Sequence, residues 1–126
     1  MPSTTRPAVL LIDDDPDILK LMELVFEDAG MNLVTCRSPE EGLRILAERE
    51  ISCVVIDIHF AHTPGCLGFL TAKRSLEGKR EIPVLATSAM TGQEVVRQVL
   101  DLGARKFIPK PFYPREILRE IRAVCP

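Results

Sequence analysis

Short apolar runs alternate with segments of helical period along the whole chain. The apolar runs cover residues 8–12, 32–36, 53–58, 83–87 and 104–108. Because most of these runs are apolar throughout, they are typical of parallel strands that are covered on both faces. The segments between them place apolar residues three and four positions apart, as amphipathic helices do. The pattern therefore predicts five strands, each followed by a helix.

Several helices carry recognisable start and stop signals. Asp15 is a good N-cap with Pro16 at the first helical position, and Gly30 is a natural stop. Ser38 and Thr91 each open a capping box, with glutamate three residues later. The third helix is expected at about residues 66–76, where Gly68 weakens the pattern. The predicted helices thus begin near Pro16, Pro39, Cys66, Thr91 and Pro114.

Five strand–helix units in succession predict an α/β domain with a single parallel sheet and helices on both faces. Right-handed crossovers favour the doubly wound, flavodoxin-like strand order 2-1-3-4-5. We expect residues 1–6 to be a disordered lead-in and residues 7–126 to form the one domain.

Composition narrows the class of protein without defining its chemistry. The chain has 126 residues, 46% of them hydrophobic, and a formal net charge of −2. This charge gives no bulk reason to expect nucleic-acid or membrane binding, and no apolar run reaches the length of a membrane helix. The N-terminus lacks the apolar core of a signal peptide.

The four cysteines are scattered, which indicates reduced thiols in a cytoplasmic protein. The arginines of the fifth helix are read as a solvated face.

Polar residues stand where four of the predicted strands end. In a doubly wound sheet, ligands bind beyond the carboxyl ends of the strands, near the point where the strand order reverses. This rule selects positions by topology alone, so the chemistry found there is an independent observation. The selected residues are Asp13, Asp14, Asp57, Thr87, Ser88 and Lys110.

Three close carboxylates destabilise one another unless a cation lies among them. Oxygen ligands without a nearby cysteine suit Mg²⁺, with Mn²⁺ as an alternative. Lys110 and the Ser88 hydroxyl could contact phosphate oxygens, and a carboxylate could act as nucleophile. Each feature alone has a simpler interpretation, since two aspartates after a strand are usually a loop and a helix cap. Their joint occurrence at one sheet edge favours a phosphoryl site.

Four stretches together resemble the receiver domain of two-component response regulators. They read VLLIDDDPDI from residue 9, CVVIDI from residue 53, IPVLATSA from residue 82 and GARKFIPKPF from residue 103. The resemblance covers essentially residues 7 to 124, and the stretches are specific in combination, although each is weak alone.

The resemblance implies a role for each matching position. Asp57 is expected to be the phosphoacceptor, and Asp14 the direct Mg²⁺ ligand with Asp13 helping through water. The backbone carbonyl of His59 would complete the protein's share of the metal shell. Ser88 matches the switch hydroxyl of the family. Two further matches are Phe107 at the aromatic switch position and Lys110 at the phosphoryl contact, followed by Pro111 in a bond that is commonly cis.

The implied function is a signalling step rather than turnover of an external substrate. Asp57 would receive a phosphoryl group from a phosphohistidine of a histidine kinase or a histidine phosphotransfer protein. The domain would catalyse only its own phosphorylation and dephosphorylation, and would switch the face of the fourth helix, fifth strand and fifth helix. A homodimer through that face is one expected partner arrangement, without direct binding of nucleic acid or membrane. An output domain and a cognate kinase are not visible in the sequence.

One region departs from the family pattern. The family usually has a Met-Pro shortly after the acceptor and a glycine about eight residues after it, whereas Pro64 and Gly68 come about three residues late. We interpret this as an insertion in the loop after Asp57. It bears on the phosphorylation rate, the hydrolysis rate and partner access.

Four other interpretations compete with a phosphorylated receiver. His59, His62 and Cys66 are residue types that bind zinc, although a fourth ligand is not evident. A cobalamin domain resembles D-x-H-x-x-G, but position 62 is histidine. An external phosphohydrolase of the aspartyl-phosphate type resembles D-x-D, and position 59 is not acidic. A pseudo-receiver that acts purely as an interaction module is the last alternative.

Overall fold

The strands of the protein form one parallel sheet whose order reverses between the first and third strands. The computed structural model describes residues 8–58, 63–76, 78–89 and 92–125, and for residues 63–67 the backbone only. The sheet order is β2-β1-β3-β4-β5, which confirms the predicted α/β topology. The elements are β1 Ala8–Ile12, α1 Pro16–Ala29, β2 Leu33–Cys36, α2 Pro39–Glu48, β3 Ile51–Asp57, α3 Thr63–Lys73, β4 Val84–Ser88, α4 Gln93–Asp101, β5 Lys106–Pro109 and α5 Pro114–Val124.

The two faces of the sheet have separate cores. Alternate residues of β1 point to opposite faces: Leu10 and Ile12 join one core, while Val9 and Leu11 join the other. The first core also contains buried residues of α2, α3 and α4. The second contains buried residues of α1 and α5. This double covering explains why the strands read as continuous apolar runs.

The caps of the first two helices follow the sequence signals. The Asp15 carboxylate accepts a hydrogen bond from the Asp17 N–H at 2.9 Å, and Gly30 ends α1 with a φ of 70°. In α2, the Ser38 hydroxyl accepts from the Glu41 N–H at 3.2 Å. These side chains satisfy backbone donors that have no partner within the helix.

The third helix corrects the predicted bounds. α3 runs from Thr63 to Lys73, three residues earlier at each end than the predicted 66–76. Pro64 lies within its first turn, where the missing proline N–H costs no hydrogen bond. At the other end, the N–H groups of residues 74–76 donate to carbonyls three positions earlier. That tighter pattern ends the α-helix although the apolar spacing continues to Leu76.

The starts of α4 and β5 differ from prediction for local reasons, whereas the bounds of β2, β3 and β4 lie within two residues of the predicted runs. α4 begins after Gly92, which is its N-cap and provides no side-chain cap. The prediction of Thr91 as the N-cap in a capping box is therefore wrong, and Thr91 itself lies outside the described residues. β5 starts at Lys106 rather than residue 104 because the Ala104 N–H donates to the Val99 carbonyl and closes α4. The predicted lead-in at residues 1–6 also lies outside the described part of the chain.

Candidate functional site

Asp13 immediately follows β1 and is held in place by backbone hydrogen bonds. Its N–H donates to the Cys36 carbonyl at 3.1 Å, and its Oδ1 accepts from the Asp15 N–H at 2.9 Å. The residue is buried, with 3% of its surface exposed. A carboxylate in such a place needs a nearby positive charge, because burial disfavours the ionised form.

Asp57 is the last residue of β3 and pairs with Thr87 of β4. The following N–H, of Ile58, donates to the Thr87 carbonyl at 2.7 Å, so β3 remains tied to β4 beyond its last residue. Asp57 is as buried as Asp13, at 4% exposure. The two carboxylates therefore lie at the ends of adjacent strands, as the predicted topology required.

Lys110 lies between these two carboxylates. Its backbone N–H donates to the Ser88 carbonyl at 2.8 Å, which fixes the residue just after β5. Its Nζ lies 3.0 Å from Asp13 Oδ2 and 3.1 Å from Asp57 Oδ1. The Lys110–Pro111 peptide bond is cis, as the resemblance implied.

The electrostatics of Lys110 follow from this geometry. Burial acts to lower its pKa, but the hydrogen bond from Lys110 to Asp13 and the charges of Asp13 and Asp57 outweigh burial and raise the pKa above its usual 10.5. The ammonium therefore stays charged at neutral pH and compensates two buried acids. Such charge-assisted hydrogen bonds are among the stronger ones in proteins.

The carboxylates of Asp13, Asp14 and Asp57 converge on one point. Each can offer an oxygen, and these oxygens all lie within 4.8 Å of one another. Asp13 and Asp57 are buried whereas Asp14 is exposed. The donor set is all oxygen and includes an accessible side, which fits a hard divalent cation that keeps some of its water.

The loop that carries Asp14 has a contact that the sequence did not reveal. Arg37 follows β2, and its Nη2 donates to the Asp14 carbonyl at 3.1 Å. The rule about strand ends selects the position of Arg37, just beyond the carboxyl end of β2, but does not predict which atom its side chain contacts.

The structure describes the other predicted site residues to different extents. Ser88 ends β4, is buried at 1% exposure and pairs with Pro109 of β5. Phe107 is half-buried on β5 and packs against the core that contains α4. His59 lies outside the described residues, as does His62. The side chain of Cys66 also lies outside the described part of the chain, and with it the alternative zinc site.

The family model of the response regulator receiver domain matches residues 9–122 of this chain. The chain therefore belongs to the response regulator receiver domain family. This membership agrees with the strand order, with the acidic cluster at the topological switch point and with the resemblance drawn from the sequence.

A full-length relative supports the same assignment. The chain is 31% identical over 113 residues to the response regulator SaeR of Staphylococcus aureus, a match that covers 90% of this chain and 48% of the relative. The chain thus spans about half the length of the curated relatives it matches.

Solved receiver structures share the fold at lower sequence identity. A CheY-like receiver domain protein of Methanospirillum hungatei JF-1 gives a TM-score of 0.83 at 22% identity, covering 93% of this chain and 91% of its own. A second likeness is the receiver domain of a sensor histidine kinase from Pseudomonas aeruginosa PAO1, with a TM-score of 0.82, 19% identity and coverage of 94% and 96%. That structure has a magnesium ion coordinated in its active-site cleft.

In the part of the chain that the structure describes, no helix combines the length and the apolar character needed to cross a bilayer.

Proposed function

We propose that this domain is the phosphoacceptor of a two-component relay and that Asp57 receives the phosphoryl group. The observation that carries the proposal is the pair of ion contacts from Lys110 Nζ, 3.0 Å to Asp13 and 3.1 Å to Asp57, beside a cluster of three carboxylates. This combination of oxygen ligands and a fixed ammonium is what a transferring phosphoryl group requires. Membership of the receiver family supports the same role.

The proposed step is an in-line displacement at phosphorus. An Oδ of Asp57 attacks the phosphorus of a phosphohistidine on a histidine kinase or histidine phosphotransfer protein. The new P–O bond forms as the P–N bond breaks, and the imidazole leaves with the electron pair and takes up a proton. Lys110 remains charged and faces the phosphoryl oxygens, so positioning and charge supply most of the catalysis. Hydrolysis of the aspartyl phosphate by water later resets the domain.

The residues of the acidic cluster fit Mg²⁺, with Mn²⁺ as a substitute. Asp14 would be the direct ligand, Asp13 would act through water, and Asp57 and the backbone carbonyl of His59 would complete the protein's share. When bound, the cation offsets the charge on the carboxylates and on the phosphoryl oxygens. The all-oxygen donor set within 4.8 Å supports this assignment, because nitrogen and sulfur ligands would favour zinc.

Ser88 and Phe107 are proposed to convert phosphorylation into a change of surface. The Ser88 hydroxyl would contact the phosphoryl group, and Phe107 would turn inward to fill the space behind it. Ser88 is buried at the end of β4, while Phe107 on neighbouring β5 is half-buried, so it has room to bury further. The remodelled α4–β5–α5 face would then bind partners, including a second phosphorylated copy. This is a shift between two populations of the same chain.

In this role, residues 7–126 form a cytoplasmic signalling domain that turns over no external substrate. A pseudo-receiver that is never phosphorylated is the second candidate. The departure of Pro64 and Gly68 from the family spacing after Asp57 favours that candidate, because the affected loop flanks the phosphoacceptor.

The test is incubation with a small acyl phosphate, with and without Mg²⁺, followed by intact mass measurement. We expect one added phosphoryl group that depends on Mg²⁺ and is lost in D57N. D15N is the matched control, because asparagine also caps a helix and Asp15 serves as the N-cap of α1. A wild-type chain that accepts no phosphoryl group from either an acyl phosphate or a phosphohistidine protein would establish the pseudo-receiver instead.

A further inference from the structure

An open groove of about 760 Å³ lies between α1 and α5, on the face of the sheet opposite α2, α3 and α4. Two large apolar side chains line it while remaining exposed: Leu24 of α1 at 63% and Tyr113, which precedes α5, at 77%. Leu21, three residues before Leu24 on α1, is also exposed at 47%. Apolar surface gathered in one place is typical of a site that another molecule covers.

The two helices that border this groove have opposite charge. The exposed charged residues of α1 are four acids and one base: Asp17, Glu23, Glu27, Asp28 and Lys20. Those of α5 are three bases and one acid: Arg115, Arg119, Arg122 and Glu116. The exposed acid of α5 is already engaged, since Glu116 Oε1 accepts a hydrogen bond from the Tyr113 N–H at 2.7 Å, and the half-buried Glu120 pairs with Lys106.

These opposite charges do not pair with each other inside the chain. Among the residues that the structure describes, the ion pairs are Lys106 with Glu120 and Lys110 with Asp13 and Asp57, none of them between α1 and α5. Asp28, Arg115 and Arg119 all border the groove. Asp28 on the α1 side and two arginines on the α5 side therefore flank one apolar floor, with Glu116 the one acid among the lining residues of α5.

From this arrangement we infer that the groove binds a second copy of the same chain. In a two-fold dimer, α1 of one copy lies on α5 of the other, and the reverse contact forms at the same time. Acidic α1 then meets basic α5 twice, and the Leu24 and Tyr113 side chains of both copies leave water. A partner of uniform charge would be repelled by one of the two helices, so the surface is better matched to itself.

This interface is independent of the proposed phosphoacceptor role, because it uses none of the residues of the acidic cluster. It shares α5 with the α4–β5–α5 face proposed for the phosphorylated form but uses α1 in place of α4 and β5. Leu100 on α4 is exposed at 40% and marks that other face.

The test is sedimentation velocity of the unphosphorylated chain over a range of concentrations. We expect wild type to shift from monomer to dimer, and L24E to remain monomeric where wild type is at least half dimeric. L100E is the matched control, an equivalent change on α4, and should dimerise like wild type. Circular dichroism checks that all variants fold, as expected for changes at exposed positions.

Exchange of charges gives a sharper result than loss of binding. D28R and R119E alone should each remain monomeric, because each places like charges opposite one another in the dimer. Mixed in equal amounts, they should form a dimer again, because arginine at 28 of one chain can then face glutamate at 119 of the other. A wild-type chain that stays monomeric up to about 1 mM would overturn the proposal, because its dissociation constant would then lie above that concentration. So would a dimer abolished by L100E but not by L24E, or a groove that binds only a phosphohistidine protein.

Discussion

The Lys110 ammonium donates a hydrogen bond of 3.0 Å to the carboxylate of Asp13, a residue 97 positions earlier in the chain. The contact joins the end of β5 to the end of β1 across the intervening strands β3 and β4. Both side chains are largely buried, with exposures of 13% and 2%. The same ammonium also compensates Asp57, so it links the candidate phosphoacceptor to the candidate metal ligand.

This pair should be energetically coupled more strongly than an exposed pair. In urea unfolding without divalent ions, K110M should have a free energy of unfolding about 3 kcal/mol lower than that of wild type. The reason is that the substitution leaves buried carboxylates without a cation. A double-mutant cycle with D13N should give a coupling of about 1–3 kcal/mol. The control is the cycle of K106M and E120Q, whose exposed pair should couple by less than about 1 kcal/mol. Equal couplings in the two cycles would contradict the importance assigned to burial.

The stabilisation by Lys110 should also depend on alkaline pH in a defined direction. Because its folded pKa is raised above 10.5, the folded chain binds the proton more tightly than the unfolded chain. The stability difference between wild type and K110M should be constant below about pH 10 and shrink as the pH rises through the raised pKa. Unfolding curves of both proteins between pH 8 and about pH 12 would check this. A difference that grows over this range would reverse the sign of the assigned interaction.

Gly42 should resist replacement by alanine although it lies inside α2. A Cβ there would overlap Ile12 Cδ1 and lie 3.1 Å from Ile12 Cγ1, in the core between α2 and β1. The overlap should lower the free energy of unfolding by about 1–3 kcal/mol. This exceeds the roughly 1 kcal/mol by which alanine stabilises a helix relative to glycine. G42A is therefore expected to destabilise the chain in thermal or urea unfolding.

G68A in α3 is the matched control for that substitution. Among the described residues, no atom lies within 4 Å of a Cβ built at Gly68. The helix propensity gain should then appear undiminished, as a stabilisation of up to about 1 kcal/mol. If both variants were stabilised equally, close packing of Gly42 against β1 would be ruled out.

The buried thiols should react slowly in the native state. Burial raises the pKa of Cys36 from 9.0 to about 11 and also raises that of Cys53, so little thiolate is present at pH 8. Iodoacetamide at pH 8 should label the half-buried Cys125 before either of them, as peptide mapping would show. Labelling of Cys36 should accelerate as the pH approaches 11. Faster labelling of Cys36 than of Cys125 at pH 8 would contradict the described burial.

The fold was more predictable than the details of its loops. Apolar runs identified the strands because each is covered on both faces, and the caps at Asp15 and Ser38 use local chemistry that a sequence displays directly. The start of α3 was missed because Pro64 and Gly65 read as loop residues, whereas the first turn of a helix tolerates proline. The start of β5 was missed because Ala104 closes α4 through a hydrogen bond that apolar character does not reveal.

The candidate site was predictable because its residues follow strands. Asp13, Asp57 and Lys110 come together through topology, and their distances confirm the expected proximity. The contact from Arg37 to the Asp14 carbonyl depends on a long flexible side chain reaching a backbone atom, for which the sequence has no pattern. The opposite charges of α1 and α5 can be read from the sequence, but only the structure shows that the two helices border one groove.

Chemical identification of the phosphorylated residue is the most direct test of the proposed role. Borohydride reduces an aspartyl phosphate to homoserine, which marks the acceptor permanently for peptide sequencing by mass spectrometry. After incubation with an acyl phosphate and Mg²⁺, we expect homoserine at position 57 and aspartate retained at 13 and 14. Homoserine at position 13 or 14, or a chain that gains a phosphoryl group without any homoserine, would contradict the assignment of Asp57.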